Sequence, residues 1–557
     1  MDFSLFNNMH LRGVLIEDQQ KDTILSAGEV RVRITDWFFF KKNIVLKYVG
    51  LENAVIKMQR SDSVWRHKFL IDYFSSPSTG EKQAGGTQLS LEKVDFRNVS
   101  FLKKDAWLGQ DMSISVSALN VDTRKINFKN KTIDLGSLAL INPRVSLFNY
   151  QKLKPAPGKE IIAITPSPLD SALNWNEGGW VVKVNRLDIK NGMFKNDAYT
   201  LIPTRSGFDG KHIEFGSINA SFTNVLWEKD TVITHLKLQT KERSGFEVKD
   251  MVADVKLTPE EMSFRNLDIQ SNNRRIRNFF RMSYADISSM NDFEHKVNMQ
   301  ASFDDAEIDS DDIAFFAPGM SRWKKNIQLK GNVRGTVDDL VGTDLIIQAG
   351  NNTLLNGDIS MTGLPDINQT FIDFRANDFR TTHEDALAFV PAIRNVVTPD
   401  LRKLQYLRFN GSFTGFIRDF VTFGTIQTNL GIVRSDLNMK LPVGRQPVYS
   451  GTVSTEYFRL GEFIGDKNIG AIAISGSIKG TGFTDRNRIA DIDGKITFAD
   501  FKGYRYDNLL LKGKLDKKQF IGFASIDDED VQLDLNGLID FNSSTPAFNF
   551  FADVRKA

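Results

Sequence analysis

The chain has 557 residues, 71 Lys and Arg, 69 Asp and Glu, and no cysteine. This length is several times that of one domain, so we expect several domains or a repeat array. The net charge of +2 gives no electrostatic reason to expect nucleic acid as a partner. The lack of cysteine excludes a disulfide scaffold, a thiolate zinc site and a cysteine nucleophile.

Residues 1–150 form the first predicted β segment. Val30, Val32 and Ile34 alternate with Arg31 and Arg33. A period of two places the apolar residues on one face of a strand and the charged ones on the other. A sheet with one solvent-facing polar side and one apolar side is typical of antiparallel strand pairing.

Residues 151–176 contain clustered prolines and are predicted to be an exposed connection. Residues 177–300 form a second predicted sheet segment, in which Ala253, Val255 and Leu257 alternate with polar residues. Asn-Gly and Asp-Gly dipeptides at 191, 209, 356, 410, 493 and 536 are typical of hairpins. The dipeptide at 536 lies inside an alternating run, where its glycine indicates a bulge or bend instead.

Residues 301–557 are predicted to be repeated β units with short helices at 310–318 and 381–391. Ser310 is the expected N-cap of the first helix and Thr381 or Thr382 that of the second, and each helix ends at a proline. A degenerate third copy lies at 458–465. Each copy precedes a glycine-flanked strand, and these strands begin at residues 331, 411 and 476. Shared order indicates an array that grows along one axis.

The alternating strands define the residues that we expect to line an apolar groove. They are Val30, Val32, Ile34, Ile472, Ile474, Ile478, Ile492, Ile496, Phe498, Leu509, Leu511, Val531, Leu533, Leu535, Ile539 and Phe541.

Residues 11–18 (LRGVLIED) and 22–28 (DTILSAG) resemble the start of AsmA/TamB-type proteins, in which strands of this form recur. Residues 34–39, residues 50–54 and the later glycine-flanked strands extend the similarity, which is specific in residues 1–75. The resemblance implies a long, U-shaped β-sheet trough with an apolar inside and a polar outside. It also implies an inner-membrane anchor upstream, residence in the periplasm and phospholipid traffic towards the outer membrane.

Some members of that family are linked instead to assembly of outer-membrane β-barrel proteins. The sequence shows neither the anchor helix nor the C-terminal domain of the TamB branch, so we expect it to be a piece of a longer polypeptide. No apolar stretch approaches the length of about 20 residues that a spanning helix needs.

The predicted fold is therefore all-β: an elongated, repeat-built, mainly antiparallel sheet curled into a U-shaped hydrophobic groove, with a few short helices. The predicted function is a non-enzymatic lipid-conducting groove that moves phospholipid between the two membranes. A scaffold for outer-membrane β-barrel assembly is the alternative, and a secreted carbohydrate-active enzyme is a third, less supported possibility. We expect no cofactor and no metal, since none of the six histidines has H-x-H or H-E-x-x-H spacing.

Overall fold

The computed structural model describes most of the chain. The chain divides into two compact units. The described residues are 2–3, 8–34, 46–75, 91–127, 130–153, 175–176, 178–199, 202–204, 207, 209–271, 274–311, 326–389, 394, 400–484, 486–540, 542 and 547–556. Those up to Gln300 belong to unit 1, and those from Ala301 onwards belong to unit 2.

The described part of unit 1 consists of strands with two short helices. The strands are β1 (Asp2–Phe3), β2 (Asn8–Glu17), β3 (Thr23–Ile34), β4 (Leu46–Arg60), β5 (Lys93–Asp105), β6 (Gln110–Asn127), β7 (Thr132–Ile141), β8 (Arg144–Asn149), β9 (Val181–Ala198), β10 (Ile213–Glu228), β11 (Thr231–Glu242), β12 (Glu247–Thr258), β13 (Glu261–Ser271), β14 (Arg274–Ser283) and the start of β15 (Asn298–Asp309). The helices are α1 (Lys68–Ser75) and α2 (Phe293–Lys296), and a 3₁₀ turn (Ile287–Asp292) precedes α2.

Most neighbouring strands of unit 1 are antiparallel. The exceptions are β4 with β5, whose connection contains α1, and β9 with both β7 and β8. β7 and β8 pair with different parts of β6. The two short strands therefore lie end to end between β6 and β9, in the position of a single strand. Strands before and after the predicted 151–176 connection are therefore direct neighbours.

Only the two ends of the predicted 151–176 connection belong to the described residues. Residues 151–153 are exposed, residues 154–174 lie outside the described residues, and Asn176 is half-buried. The side chain of Asn176 donates to the carbonyl of Trp180 and accepts from its N–H. These bonds fix Asn176 to the residue that precedes β9, and the prediction of an exposed connection over 151–176 stays a prediction.

Left-handed asparagines lie beside one another in unit 1, on β4, β5 and β9 and in the β7–β8 connection. Asn53, Asn98, Asn142 and Asn191 have φ values between 50° and 52°, and we call them the asparagine seam. Asn98 donates to the Asn53 side chain over 3.1 Å, and Asn191 donates to that of Asn142 over 2.8 Å. Asparagine tolerates this conformation better than other non-glycine residues because its short polar side chain bonds locally.

The described part of unit 2 also consists mainly of strands. Its strands are the remainder of β15, β16 (Asn326–Gly335), β17 (Asp339–Ala349), β18 (Thr353–Thr362), β19 (Phe371–Thr382), β20 (Tyr406–Phe416), β21 (Asp419–Thr428), β22 (Gly431–Lys440), β23 (Val448–Phe458), β24 (Ile469–Thr481), β25 (Ile489–Phe501), β26 (Tyr504–Asp516), β27 (Gln519–Asp527), β28 (Gln532–Asp540) and β29 (Ala547–Lys556). The helices are α3 (His383–Phe389) and α4 (Leu460–Ile464), with a 3₁₀ turn at Leu401–Lys403. From β16 to β29 each strand pairs antiparallel with the next.

The repeat of unit 2 contains four strands. The three glycine-flanked strands are β16, β20 and β24, and a short helix follows β19 and β23. The second predicted helix is confirmed as α3, in which the Thr382 hydroxyl accepts from the N–H of Asp385. Of the first predicted helix, Ser310 and Asp311 are helical, and residues 312–318 lie outside the described residues.

Both helices cover the turn between the second and third strands of their repeat. In α3, Asp385 is 1% exposed and accepts from the N–H groups of Asn351 and Asn352 in the β17–β18 turn. At α4, the N–H of Arg459 donates to the carbonyl of Leu430, which is 1% exposed in the β21–β22 turn. Equivalent contacts at equivalent places support a repeat in structure as well as in sequence.

Five of the six hairpin-type dipeptides lie inside strands. The prediction of a hairpin is wrong for those at 191, 356, 410 and 493, whereas the one at 536 lies inside β28, as its alternating run predicted. Gly411, for example, lies directly opposite Gly424, and a Cβ on Gly411 would be 2.6 Å from the Gly424 Cα. Gly476 and Gly494 also face each other. These glycines allow neighbouring backbones to approach closely. The β25–β26 hairpin instead turns at Lys502 and Gly503, both with positive φ.

The prediction of an all-β, mainly antiparallel, repeat-like chain with a few short helices is confirmed.

Candidate functional site

An apolar row crosses six consecutive strands of unit 2, from β24 to β29. Its members lie directly opposite one another in the ladder: Ile474, Ile496, Leu509, Ile526, Leu533 and Val554. Side chains of directly paired residues share one face of a sheet. Four residues selected from sequence alternation therefore meet in one line, and we call this line the apolar row.

One further predicted pair lies on the same face beside the apolar row. Ile478 is opposite Ile492, and the residues on either side of this pair are Gly451 and Gly513. Neither glycine adds a side chain to this row, and the Phe520 ring lies 2.6 Å from where a Cβ on Gly513 would be.

The remaining predicted residues of β26 and β28 also occupy this face. Leu511 and Leu535 both lie opposite Ala524 on neighbouring strands. Ile539 lies between Phe520 and Phe548. Together with the apolar row, these residues define the apolar face of β24–β29.

Four predicted lining residues are not placed in these rows. Ile472 lies beyond a register shift between β23 and β24, and Phe498 lies beyond one between β24 and β25. The centre of the Phe498 ring is 4.0 Å from the Arg505 guanidinium. Val531 precedes β28, and its carbonyl accepts from the N–H of Asp528. Phe541 lies outside the described residues.

Unit 1 has its own apolar row, which includes Val30. Its directly paired members are Leu11, Val30, Leu51, Phe96, Leu119, Leu140, Ile189, Ala220, Leu238, Met251, Ile269 and Ile276. Val32 lies one row away, between Met9 and Val49. Ile34 ends β3 opposite Leu46, and its side chain is outside the described part of the chain.

The apolar face of β24–β29 is accessible over most of its members. Ile496 and Phe520 are buried, at 7% and 9% exposure, whereas Ile474, Leu509 and Leu533 are half-buried. A second sheet packed on this face would bury such residues fully, as in a sandwich core. Half-burial is instead the state expected of side chains that touch their neighbours on one sheet and face an open space.

The opposite face of the same strands carries charged residues together with exposed apolar ones such as Leu510, Ile521 and Phe523. Lys512 pairs with Asp493 over 3.0 Å, and Asp491 lies between Lys479 and Lys514 in the ladder. We call the surface that carries these charges the polar face. A cavity of about 720 Å³ on the same strands is bordered by Ile478, Ile492, Gly451 and Gly513 together with the polar residues beside them in sequence. Further along β25, hydrogen bonds from Arg505 lower the pKa of Asp500.

A second polar cavity, of about 320 Å³, lies at the ends of β19 and β20. Arg380 and Arg408 face each other directly across these strands and line it, and both contact Asp378. The hydrogen bond from Arg380, followed by that from Arg408, lowers the pKa of Asp378 although partial burial opposes the shift.

Sequence reasoning missed several members of both faces. Phe520, Ala524 and Ile526 in β27 also alternate with period two, so this signal was available. Arg380 and Arg408 belong to different strands and form no local motif. Only the ladder register brings them together.

Within the described residues, no cluster of acidic, histidine or cysteine side chains is arranged to hold a metal ion. His235 pairs with Asp254, and the buried His212 pairs with Asp197. The described part of the chain also has no helix of the length and hydrophobicity needed to span a membrane. Comparison of the chain with protein-family models, with curated proteins and with solved structures found no match.

Proposed function

We propose that the apolar face of β24–β29 binds phospholipid acyl chains and conducts lipid between the inner and outer membranes. The observation that carries the proposal is the uninterrupted row from Ile474 to Val554. The proposed role is non-catalytic, and the resemblance of residues 1–75 to AsmA/TamB-type proteins supports the periplasm as its place.

The energetics favour acyl chains as the ligand of this face. Each methylene that moves from water to an apolar surface gains about 0.8 kcal/mol. The gain depends on area and not on direction, so a chain that slides from one row of side chains to the next keeps most of it. A cavity of about 720 Å³ borders Ile478, Ile492 and the two glycines beside them.

The polar face of the same strands supports an aqueous setting on the other side of the sheet. Its Lys512–Asp493 pair and the charges around Asp491 stay hydrated there. A sheet whose charged residues lie on the face opposite its apolar row can hold acyl chains on one side and water on the other without a second layer. Such separation is what a lipid path through an aqueous compartment requires.

The proposal is tested by extracting lipid from the purified protein and measuring it by mass spectrometry. The test variant combines Leu509→Asp with Leu533→Asp on the apolar row. The matched control combines Leu510→Asp with Leu538→Asp, which alters the same two strands on the opposite face. Circular dichroism and thermal melting establish that each variant is folded.

We expect phospholipid in the parent and in the control, and its loss from the folded apolar-row variant. Transfer of a fluorescent phospholipid between donor and acceptor vesicles then tests conduction, with the same pattern expected. A folded parent without bound lipid, or a test variant that retains it, would overturn the proposal.

A scaffold for assembly of outer-membrane β-barrel proteins is a second candidate, supported by β29. Every residue of β29 is exposed, and its one pairing strand among the described residues is β28. Phe548, Phe550 and Val554 alternate along it, and Phe548 is 60% exposed. An open strand edge with this pattern is suited to pair with a client strand. A co-purified peptide in native mass spectra, in place of lipid, is the result that favours this candidate.

A further inference from the structure

The cavity at the ends of β19 and β20 lies on a different face from the proposed lipid site. Six of its eight lining residues belong to two cross-strand lines. Arg380, Arg408 and Gln427 form one line, while Asn352, Thr382 and Tyr406 lie beside it. Thr381 and Leu407, which are paired between these lines, also border the cavity. An inference about this cavity is therefore independent of the apolar face.

Two like charges lie directly opposite each other in this cavity. Arg380 pairs with Arg408 in the β19–β20 ladder, and directly opposed like charges destabilise a sheet. Asp378 compensates by binding both guanidinium groups, with Arg408 Nε at 2.8 Å from its Oδ1. One carboxylate against two guanidinium groups leaves one positive charge in excess.

Both arginines keep donors for a further ligand. Arg380 reaches Asp378 through Nη2 and Arg408 reaches it through Nε, while each guanidinium carries five N–H groups. Half of each arginine side chain is exposed, whereas Asp378 is 14% exposed. The excess charge therefore faces the cavity while the carboxylate is held behind it.

We propose that this cavity binds a phosphate group. Planar guanidinium forks bind phosphate oxygens in pairs, and they do so better than an ammonium group does. Tyr406, Thr382, Asn352 and Gln427 add hydroxyl and amide donors around the same volume of about 320 Å³. This volume suits a phosphate group and its nearest substituent. The phosphate comes either from a soluble phosphate or from a lipid headgroup.

The test is calorimetric titration of the whole chain with inorganic phosphate at constant ionic strength. The variant is Arg408→Gln. The matched control is Arg434→Gln on β22, whose exposed arginine pairs with Glu456 over 3.4 Å and does not line the cavity. We expect saturable binding in the parent and the control, and at least about tenfold weaker binding in Arg408→Gln. Arg408→Lys keeps the charge without the fork and is expected to lie between the two.

A competition arm separates the two sources of phosphate. Vesicles of phosphatidylglycerol with phosphatidylcholine are added to the phosphate-bound protein, beside vesicles of phosphatidylcholine alone. Displacement by the anionic vesicles assigns the site to a headgroup, and retention assigns it to a soluble phosphate. Absence of saturable binding, or equal weakening in Arg408→Gln and Arg434→Gln, would overturn the proposal whatever the apolar face binds.

Discussion

Arg60 holds Asp105 through two parallel hydrogen bonds, Nε to Oδ1 and Nη2 to Oδ2, each 2.8 Å long. The Asp105 carboxylate is inaccessible to solvent, and the Arg60 side chain is 15% exposed. The Arg60 guanidinium also lies 4.5 Å from the centre of the Trp65 ring. The pair joins the ends of β4 and β5, which are the parallel strands on either side of α1.

Loss of this guanidinium should destabilise unit 1. In Arg60→Gln the Asp105 charge stays buried without its main partner, which costs about 3 kcal/mol of unfolding free energy. Urea denaturation of unit 1 measures the loss. The matched control is Arg186→Gln, since Arg186 is 61% exposed in its pair with Asp188, and an exposed pair contributes below about 1 kcal/mol. Equal losses in the two variants would contradict the assigned role.

The same pair predicts a dependence of stability on pH. Hydrogen bonds from Arg60 hold the pKa of Asp105 below its usual value, although burial acts in the opposite direction. A carboxyl whose pKa is lowered on folding stabilises the fold above its unfolded pKa of about 4. This contribution is lost as the pH falls through the lower folded value. We expect the stability gap between parent and Asp105→Asn to be constant from about pH 5 to 7 and to shrink under more acid conditions. A gap that grows towards low pH would show that another group controls it.

The asparagine seam predicts an unusual substitution pattern at Asn98. Its φ of 52° suits glycine and is strained for β-branched residues. Asn98→Gly and Asn98→Val both remove the hydrogen bond to Asn53. The difference in stability between these two variants therefore reports the strain of the backbone conformation. We expect the valine variant to be less stable than the glycine variant by about 1–2 kcal/mol in urea denaturation. Equal stability of the two variants would mean that the strand relaxes at this position.

The close contact of Gly411 with Gly424 predicts that a single methyl group is poorly tolerated. Gly411 has φ +157°, and a new Cβ would lie 2.6 Å from the Gly424 Cα. Gly411→Ala should destabilise unit 2 by about 2 kcal/mol. Gly216→Ala is the control, because the nearest atom to its Cβ would be 4.0 Å away. Thermal melting distinguishes them, and a neutral Gly411→Ala would show that β20 and β21 move apart freely.

Asp385 should hold the β17–β18 turn closed. Asp385→Ala leaves the N–H groups of Asn351 and Asn352 without this acceptor, and an unpaired buried donor costs about 1–3 kcal/mol. Hydrogen exchange of these amides should accelerate while exchange in β25–β28 stays unchanged. Glu384→Ala, at the adjacent exposed position, should leave both regions unchanged. Acceleration in Glu384→Ala as well would assign the effect to the helix and not to the carboxylate.

Period-two alternation predicted the strands of unit 2 well because antiparallel pairing preserves it from one strand to the next. Leu509 and Leu533 therefore meet on one face although they lie on different strands. Phe498 shows the limit, because a register shift between β24 and β25 lies between it and the row containing Ile496. Such a shift depends on hydrogen bonds to a neighbouring strand, which a local pattern does not contain.

Turn chemistry was a weaker guide for a related reason. Asn410-Gly411 has the composition of a hairpin, but its glycine is required by the approach of another strand. Local propensity alone does not separate these two uses of glycine. Arg380 and Arg408 were inaccessible to sequence reasoning, since their meeting is a property of strand register.

The four-strand period of unit 2 has a consequence for how such a chain can lengthen during evolution. Four antiparallel strands return the chain to the rim that it left, so duplication of one whole repeat keeps α3-type and α4-type helices on the same rim. An insertion of one strand would reverse the direction of every strand after it and move the next helix to the opposite rim. The segment that connects one repeat to the next is less constrained in length. It runs from Thr382 to Tyr406 between β19 and β20, but only from Phe458 to Ile469 between β23 and β24. Gene duplication can therefore lengthen the sheet by whole four-strand repeats, while the connections between repeats change in length.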